Sequence, residues 1–347
     1  MKKFLIITLF GILVTGMTLT IFSGPATAKS KELKYATMNP TTAWIHPNWY
    51  LPWAEQVKKA TNSRVTVKIY PAQTLGKAPE FFDLVKGGIA DIALGAQAFS
   101  PGHFPLSELM TLPFLPVPSA EVGARVMWDI FEKFPEVQKE YADIKLLHFG
   151  STDSYFIVTR EKQIRNMADL KGLKLRVPGG RAADTIKALG AIPVAVRMPE
   201  LYMALEKGVL DGAPIPGEAY MGQVPQNKLK YSIMDVHLWI VPFWVGLNKR
   251  TWKRLSKEDQ DAIMSVSGAD GSAACGKASF DDAKVAALKR MKELGVNITF
   301  APPEERARWA AVSKPIHEKY IAELEAKGLP GRKVYNEINR LLKEYSK

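Results

Sequence analysis

Arg176 stands at the end of a short apolar stretch, "LKGLKLRVPGG" (170–180), just before a proline, two glycines and a second arginine, Arg181. A guanidinium carries a planar fork of donors that matches a carboxylate with two bonds at once, and it keeps its charge when taken out of water. Two roles fit such a residue: an ion pair internal to the fold, or a cation held out for an anion. Other reactive groups lack useful spacing. The five histidines, His46, His103, His148, His237 and His317, offer no metal-ligand pair on a helix, and neither H-E-x-x-H nor C-x-x-C occurs. No metal and no cofactor is expected. G-x-S-x-G and the P-loop are also missing. "PGGRAAD" falls short of a full G-x-G-x-x-G, and the neighbours Asp153 and Ser154 read as turn formers. These residues argue against an enzyme.

Elements must hold Arg176 in place. "ELKYATM" (32–38), "RVTVKIYP" (64–71), "IADIALG" (89–95), "DIKLLHFG" (143–150), "GLKLRV" (172–177) and "AIPVAV" (191–196) have strand patterns. Helical patterns lie between them: "NWYLPWAEQVKKATN" (48–62), "APEFFDLVKGG" (78–88), "GRAADTIKALG" (180–190) and "MPELYMALEKGVLDG" (198–212). Strands alternating with helices predict an α/β fold with parallel pairing. From Lys249 to Lys347 the pattern is mostly helical, broken by the short strand "NITFA". Two α/β lobes place a ligand cleft between them, outside the carboxyl ends of strands, and Arg176 sits at such an end.

Lys2 and Lys3 precede an apolar run, Phe4 to Phe22, and Ala26-Thr27-Ala28 supplies an A-x-A site. This predicts a signal peptide over 1–28, cleaved after Ala28, although the run is also long enough for an uncleaved anchor. Cleavage leaves 319 of the 347 residues, a length that fits two lobes. The single cysteine, Cys275, excludes an internal disulfide, so the core must hold the fold. The formal charge of +12 favours anionic partners. The basic residues are dispersed, with no cluster interleaved with aromatics, which argues against nucleic acid.

"DLKGLKLRVPGG" and "ALGAIPVAVRMPELYMALEKGVLDG" resemble the solute receptors of tripartite ATP-independent periplasmic (TRAP) transporters of the DctP-like kind. So do "IYPAQTLG", "FPLSELMTLPFL" (104–115) and "LNKRTWKRLSKEDQDAI" (247–263), in order through nearly the whole mature chain. The resemblance implies a two-lobed α/β periplasmic solute-binding protein. It implies hinge strands, a long helix spanning both lobes, and a helical C-terminal region. The expected division puts 29–152 and about 240–275 in lobe I, and 153–239 and about 276–347 in lobe II. It also implies a receptor that captures an organic acid and hands it to a TRAP permease, with Arg176 on the substrate carboxylate; a monomer is expected. The alternatives are an ATP-driven transporter's anion or amino-acid receptor, and a periplasmic enzyme.

Where the family often has polar pocket residues, this chain has Phe156 and Ile215, and Met198 stands where an aromatic is usual. Apolar walls leave hydroxyls and second carboxylates unpaired, so a monocarboxylate with an apolar or aromatic body is expected. Trp44 and His46 lie in the loop after the first strand, and Trp239 and Trp244 near the return crossing. Gln97 follows the strand "IADIALG" and Tyr202 is expected as a cleft wall. Glu218 reads first as a solvated loop acid, and second as a partner for a ligand amine or N–H.

Overall fold

Alternation of apolar and polar residues makes the strands. In β1 (Lys31–Ala36), Leu33 and Tyr35 are buried, while Glu32 on the other face is exposed and Lys34 half-buried. The computed structural model describes residues 30–178 and 180–346, so the proposed signal segment lies outside the described residues. The other strands are β2 (Val65–Tyr70), β3 (Ile92–Ala96), β4 (Ile144–Ser151), β5 (Phe156–Thr159) and β6 (Lys174–Val177). They are followed by β7 (Ile192–Ala195), β8 (Gly212–Ile215), β9 (Tyr231–Met234), β10 (Pro242–Asn248) and β11 (Asn297–Phe300).

Two sheets result, in the orders β2-β1-β3-β10-β4 and β11-β9-β5-β8-β6-β7. The expected parallel pairing holds for β1 with β2 and β3, for β6 with β7 and β8, and for β9 with β11. It fails at β10, which runs antiparallel to β3 and β4, and at β5, antiparallel to β8 and β9. The reason is topological. The chain leaves the first sheet after β4 and returns to it with β10, so each sheet receives one strand travelling the opposite way.

The two crossings are tied together. The Thr152 N–H donates to the Val241 carbonyl at 3.0 Å, and the Tyr155 N–H to that of Trp239 at 3.0 Å. The Val241 N–H in turn donates to Thr152 Oγ1 at 2.9 Å. These bonds make the crossings a paired hinge.

Two helical runs bridge the sheets. The first comprises Gly268–Gly276, a π-helical turn Lys277–Asp281 and Asp282–Glu293. Its Cys275 and Phe280 pack with Tyr50 and Val245, and its Ala287 and Met291 with Phe156 and Leu205 on the second sheet. The second run is Pro303–Ala326. Its Trp309 packs with Ile157 and Leu175, and its Tyr320, Ile321 and Leu324 with Phe104 and Trp128. The last helix, Gly331–Tyr345, buries Val334, Ile338, Leu341 and Leu342 in that same core of the first sheet. The tail expected in lobe II therefore returns to lobe I, because its apolar stripe at helical spacing meets the helix Ala120–Lys133 there. Among the described residues no helix is long and apolar enough to cross a membrane.

Candidate functional site

In β6, Leu175 and Val177 enter one core and Arg176 points to the opposite face. Register sets its neighbours: Arg176 lies opposite Val194, Leu175 opposite Gly212, and Phe156 opposite Ile215. Phe156, Ala213 and Ile215 form one apolar layer, with Val194 and Met198 packed against it. Arg176 shares that face. It is 4 % exposed, and its Nε donates to the Val196 carbonyl at 2.9 Å. Among the described residues no carboxylate pairs with it. Burial lowers its pKa, and the nearby Tyr155 partly offsets that. A buried charge without a partner costs several kcal/mol.

Arg181 shows the other fate. Its guanidinium pairs with Glu108, on the first-sheet side, and lies 4.0 Å from the centre of the Tyr320 ring. Of the two arginines in this stretch, Arg181 makes an internal ion pair, and among the described residues Arg176 makes none.

Tyr155, which sequence reasoning missed, belongs to the hinge. It is nearly buried, its ring lies 5.5 Å from that of Trp239, and its phenol stands near Arg176, Asp153 and Glu218. Burial pushes that phenol up to about 12, while the charge of Arg176 pulls it down. Asp153 is also buried, not a surface turn residue. It accepts from the Gly217 N–H at 3.1 Å and 3.3 Å, and burial pushes its carboxyl up to about 8. Glu218 follows Gly217 in the helix Gly217–Gly222. It is 6 % exposed, so the solvated-loop reading is wrong. Gln223 Nε2 donates to its Oε2 at 2.9 Å, and burial pushes it up to about 7. On the first-sheet side Tyr50 is buried and its hydroxyl donates to Asn39 Oδ1 at 2.9 Å, with burial raising its phenol well above the ordinary value. No local pattern announced Asp153 or Tyr155. Their common signal is position at the crossing between the sheets.

The remaining candidates divide. Trp44 Nε1 donates to the Ala278 carbonyl at 3.0 Å, which pins its loop to the π-helical turn. His46 is buried, edge-on to Tyr50 at 6.1 Å, and its Nδ1 has no partner among the described residues. Burial lowers its pKa. Gln97 instead turns into the first lobe, where its Nε2 donates to the Tyr141 hydroxyl at 3.0 Å. Trp244 is a core residue seated against Gly95 and 5.5 Å from the Phe82 ring. Tyr202 is 46 % exposed, because Leu201 and Leu205 take the buried side of the helix Met198–Glu206. A cavity of about 340 Å³, lined by Phe114, Pro116, Val236, His237, Arg306, Ala307 and Ala310, shares no residue with the Arg176 group. Among the described residues no cluster of three His, Cys, Asp or Glu could hold a metal.

Comparison with known proteins agrees with this architecture. The model for bacterial extracellular solute-binding protein family 7 matches residues 36–324. The fold is similar to that of a marine metagenome TRAP solute-binding protein, specific for aromatic acids and solved with metahydroxyphenylacetate. That match has a TM-score of 0.85 and 28 % identity, over 92 % of this chain and 100 % of that one. It is also similar to a TRAP solute-binding protein from Rhodoferax ferrireducens T118 solved with copurified benzoate, at TM-score 0.84 and 25 % identity, over 91 % and 99 % of the two chains. The C4-dicarboxylate-binding periplasmic protein of Rhodobacter capsulatus is 26 % identical over 78 % of this chain and 81 % of that protein. The chain belongs to bacterial extracellular solute-binding protein family 7, and it is a DctP-like periplasmic solute receptor of the TRAP transporter class.

Proposed function

We propose that this receptor captures an organic monocarboxylate with an apolar, aromatic body, and delivers it as a monomer to a TRAP membrane permease. The observation that carries the reading is Arg176, buried at 4 % exposure with no acidic partner among the described residues. A bound carboxylate would return the missing counter-charge through a bidentate pair. Phe156 and Ile215 on the same face, and the Tyr155–Trp239 pair beside it, suit a flat apolar body. They do not suit the hydroxyls of a sugar acid or a second carboxylate, each of which would cost about 1–3 kcal/mol left unpaired. The ligands of the two similar structures, benzoate and metahydroxyphenylacetate, have the proposed chemistry. In this reading the mature chain begins after Ala28, and the lobes part near residues 152 and 240, where the crossings run.

A thermal-shift screen of organic acids tests it. Ligand at about a hundred times its Kd stabilises the fold by about 2.7 kcal/mol. Benzoate, phenylacetate and their ring-substituted relatives are expected to raise Tm, and malate, succinate and glucuronate are not. Dicarboxylates or sugar acids giving the largest shifts would overturn the aromatic monocarboxylate reading.

A further inference from the structure

We infer that Glu218 is a second ligand anchor, and that the natural acid carries an O–H or N–H donor on its body, away from the carboxylate. This rests on the proposed function and specifies the ligand further. Glu218 is buried to 6 % exposure, yet its one hydrogen-bond partner among the described residues is Gln223, which engages Oε2 alone. A carboxyl group has room for about four such bonds. No lysine, arginine or histidine pairs with it among the described residues. Acids buried for structural reasons in this molecule are treated differently. Glu140 accepts from two backbone N–H groups and from the Ser107 hydroxyl. Asp153 takes the Gly217 N–H between its two oxygens and has the Lys284 ammonium as a nearby counter-charge, which Glu218 lacks among the described residues.

Position gives the under-used oxygen a purpose. Arg176 lies near the end of β6 and Glu218 in the first turn of the helix that follows β8, and β6 and β8 run parallel, so both stand at the carboxyl ends of neighbouring strands. Tyr155 stands near both Glu218 and Arg176. An acid laid along Tyr155 with its carboxylate on Arg176 would present its far end to Glu218. The two groups complement each other: a cation without an anion at one end, and an acceptor without its donors at the other. Phe156 and Ile215 offer such a ligand group no hydrogen bond, so Glu218 would supply the polar discrimination that this apolar face lacks.

Calorimetry on the full mature chain tests the inference. The probes are benzoate and phenylacetate, their ring-hydroxylated forms, and their aminomethyl forms. The wild type is expected to bind at least one donor-bearing acid about tenfold or more tighter than its parent, the order of effect of leaving a buried polar group unpaired. In Glu218→Leu that ratio is expected to fall to about one. Glu218→Gln, which keeps the shape and an acceptor oxygen, is expected to retain preference for a hydroxyl and lose preference for an ammonium. A hydroxyl preference thus identifies an O–H donor, and an aminomethyl preference lost in Glu218→Gln identifies a cation. Equal binding of parent and donor-bearing acids by the wild type would overturn the inference and leave the monocarboxylate reading intact. So would a preference unchanged in both variants. Failure of every acid in the series to bind the wild type would overturn the reading beneath it as well.

Discussion

Arg176 and Arg181 come from one short stretch and have opposite fates. Arg181 closes an ion pair with Glu108, whereas Arg176 stays buried and unpaired by any carboxylate of the described chain. The sequence made both roles legible for Arg176 and could not choose, since the choice depends on which distant acids the fold brings near. The buried acids were not legible at all. Asp153 looks like a turn residue until Gly217 is folded against it. Its raised carboxyl makes a prediction. Folding pushes it up to about 8 by burial, from an ordinary value of about 3.9, so the native state holds a proton that the unfolded chain has released. Its contribution is complete at low pH and is lost as pH rises through that window. Glu218, pushed up to about 7, acts in the same direction. Asp153→Asn keeps an acceptor for the Gly217 N–H and removes the proton. Chemical denaturation at about pH 5 and about pH 8 is therefore expected to show a smaller loss of stability with rising pH in the variant than in the wild type. Equal losses would contradict a buried, proton-holding Asp153.

At the scale of elements, alternation marked the strands β1, β2, β3, β4, β6 and β7 to within a few residues. It did not show the reversed strands β5 and β10, because direction is set by where the chain crosses between sheets. Helical phase explains another miss: Tyr202 is one residue from Leu201 and so faces away from the buried side. The helix Gly217–Gly222, which carries Glu218, shows how closely the elements fit. A Cβ on Gly217 would sit 2.4 Å from Lys284 Cα, a backbone atom that cannot swing away, whereas one on Gly222 would meet nothing within 4 Å. Gly217→Ala is expected to cost about 1–3 kcal/mol in denaturant unfolding. Gly222→Ala, in the same helix, is expected to be neutral or to stabilise by about 0.4–1 kcal/mol. Equal effects from the two substitutions would show that the contact between this helix and Asp282–Glu293 is looser than described.

At the scale of the molecule, two sheets are joined by a paired crossing and two bridging helical runs, and Tyr155 sits where the crossing meets Arg176 and Glu218. The +12 charge favours anions near a chain whose buried Arg176 has no carboxylate partner among the described residues. In the proposed function, relative motion of the lobes about the crossing would admit the acid, and closure would desolvate its pair with Arg176. In such a pair the guanidinium fork matters as much as its charge. The most direct test is a calorimetric titration of the wild type and Arg176→Lys with the acid that binds best in the screen. The account predicts a loss of about 1.5–3 kcal/mol in binding although the positive charge is kept. Unchanged affinity in Arg176→Lys would contradict the claim that this guanidinium holds the carboxylate.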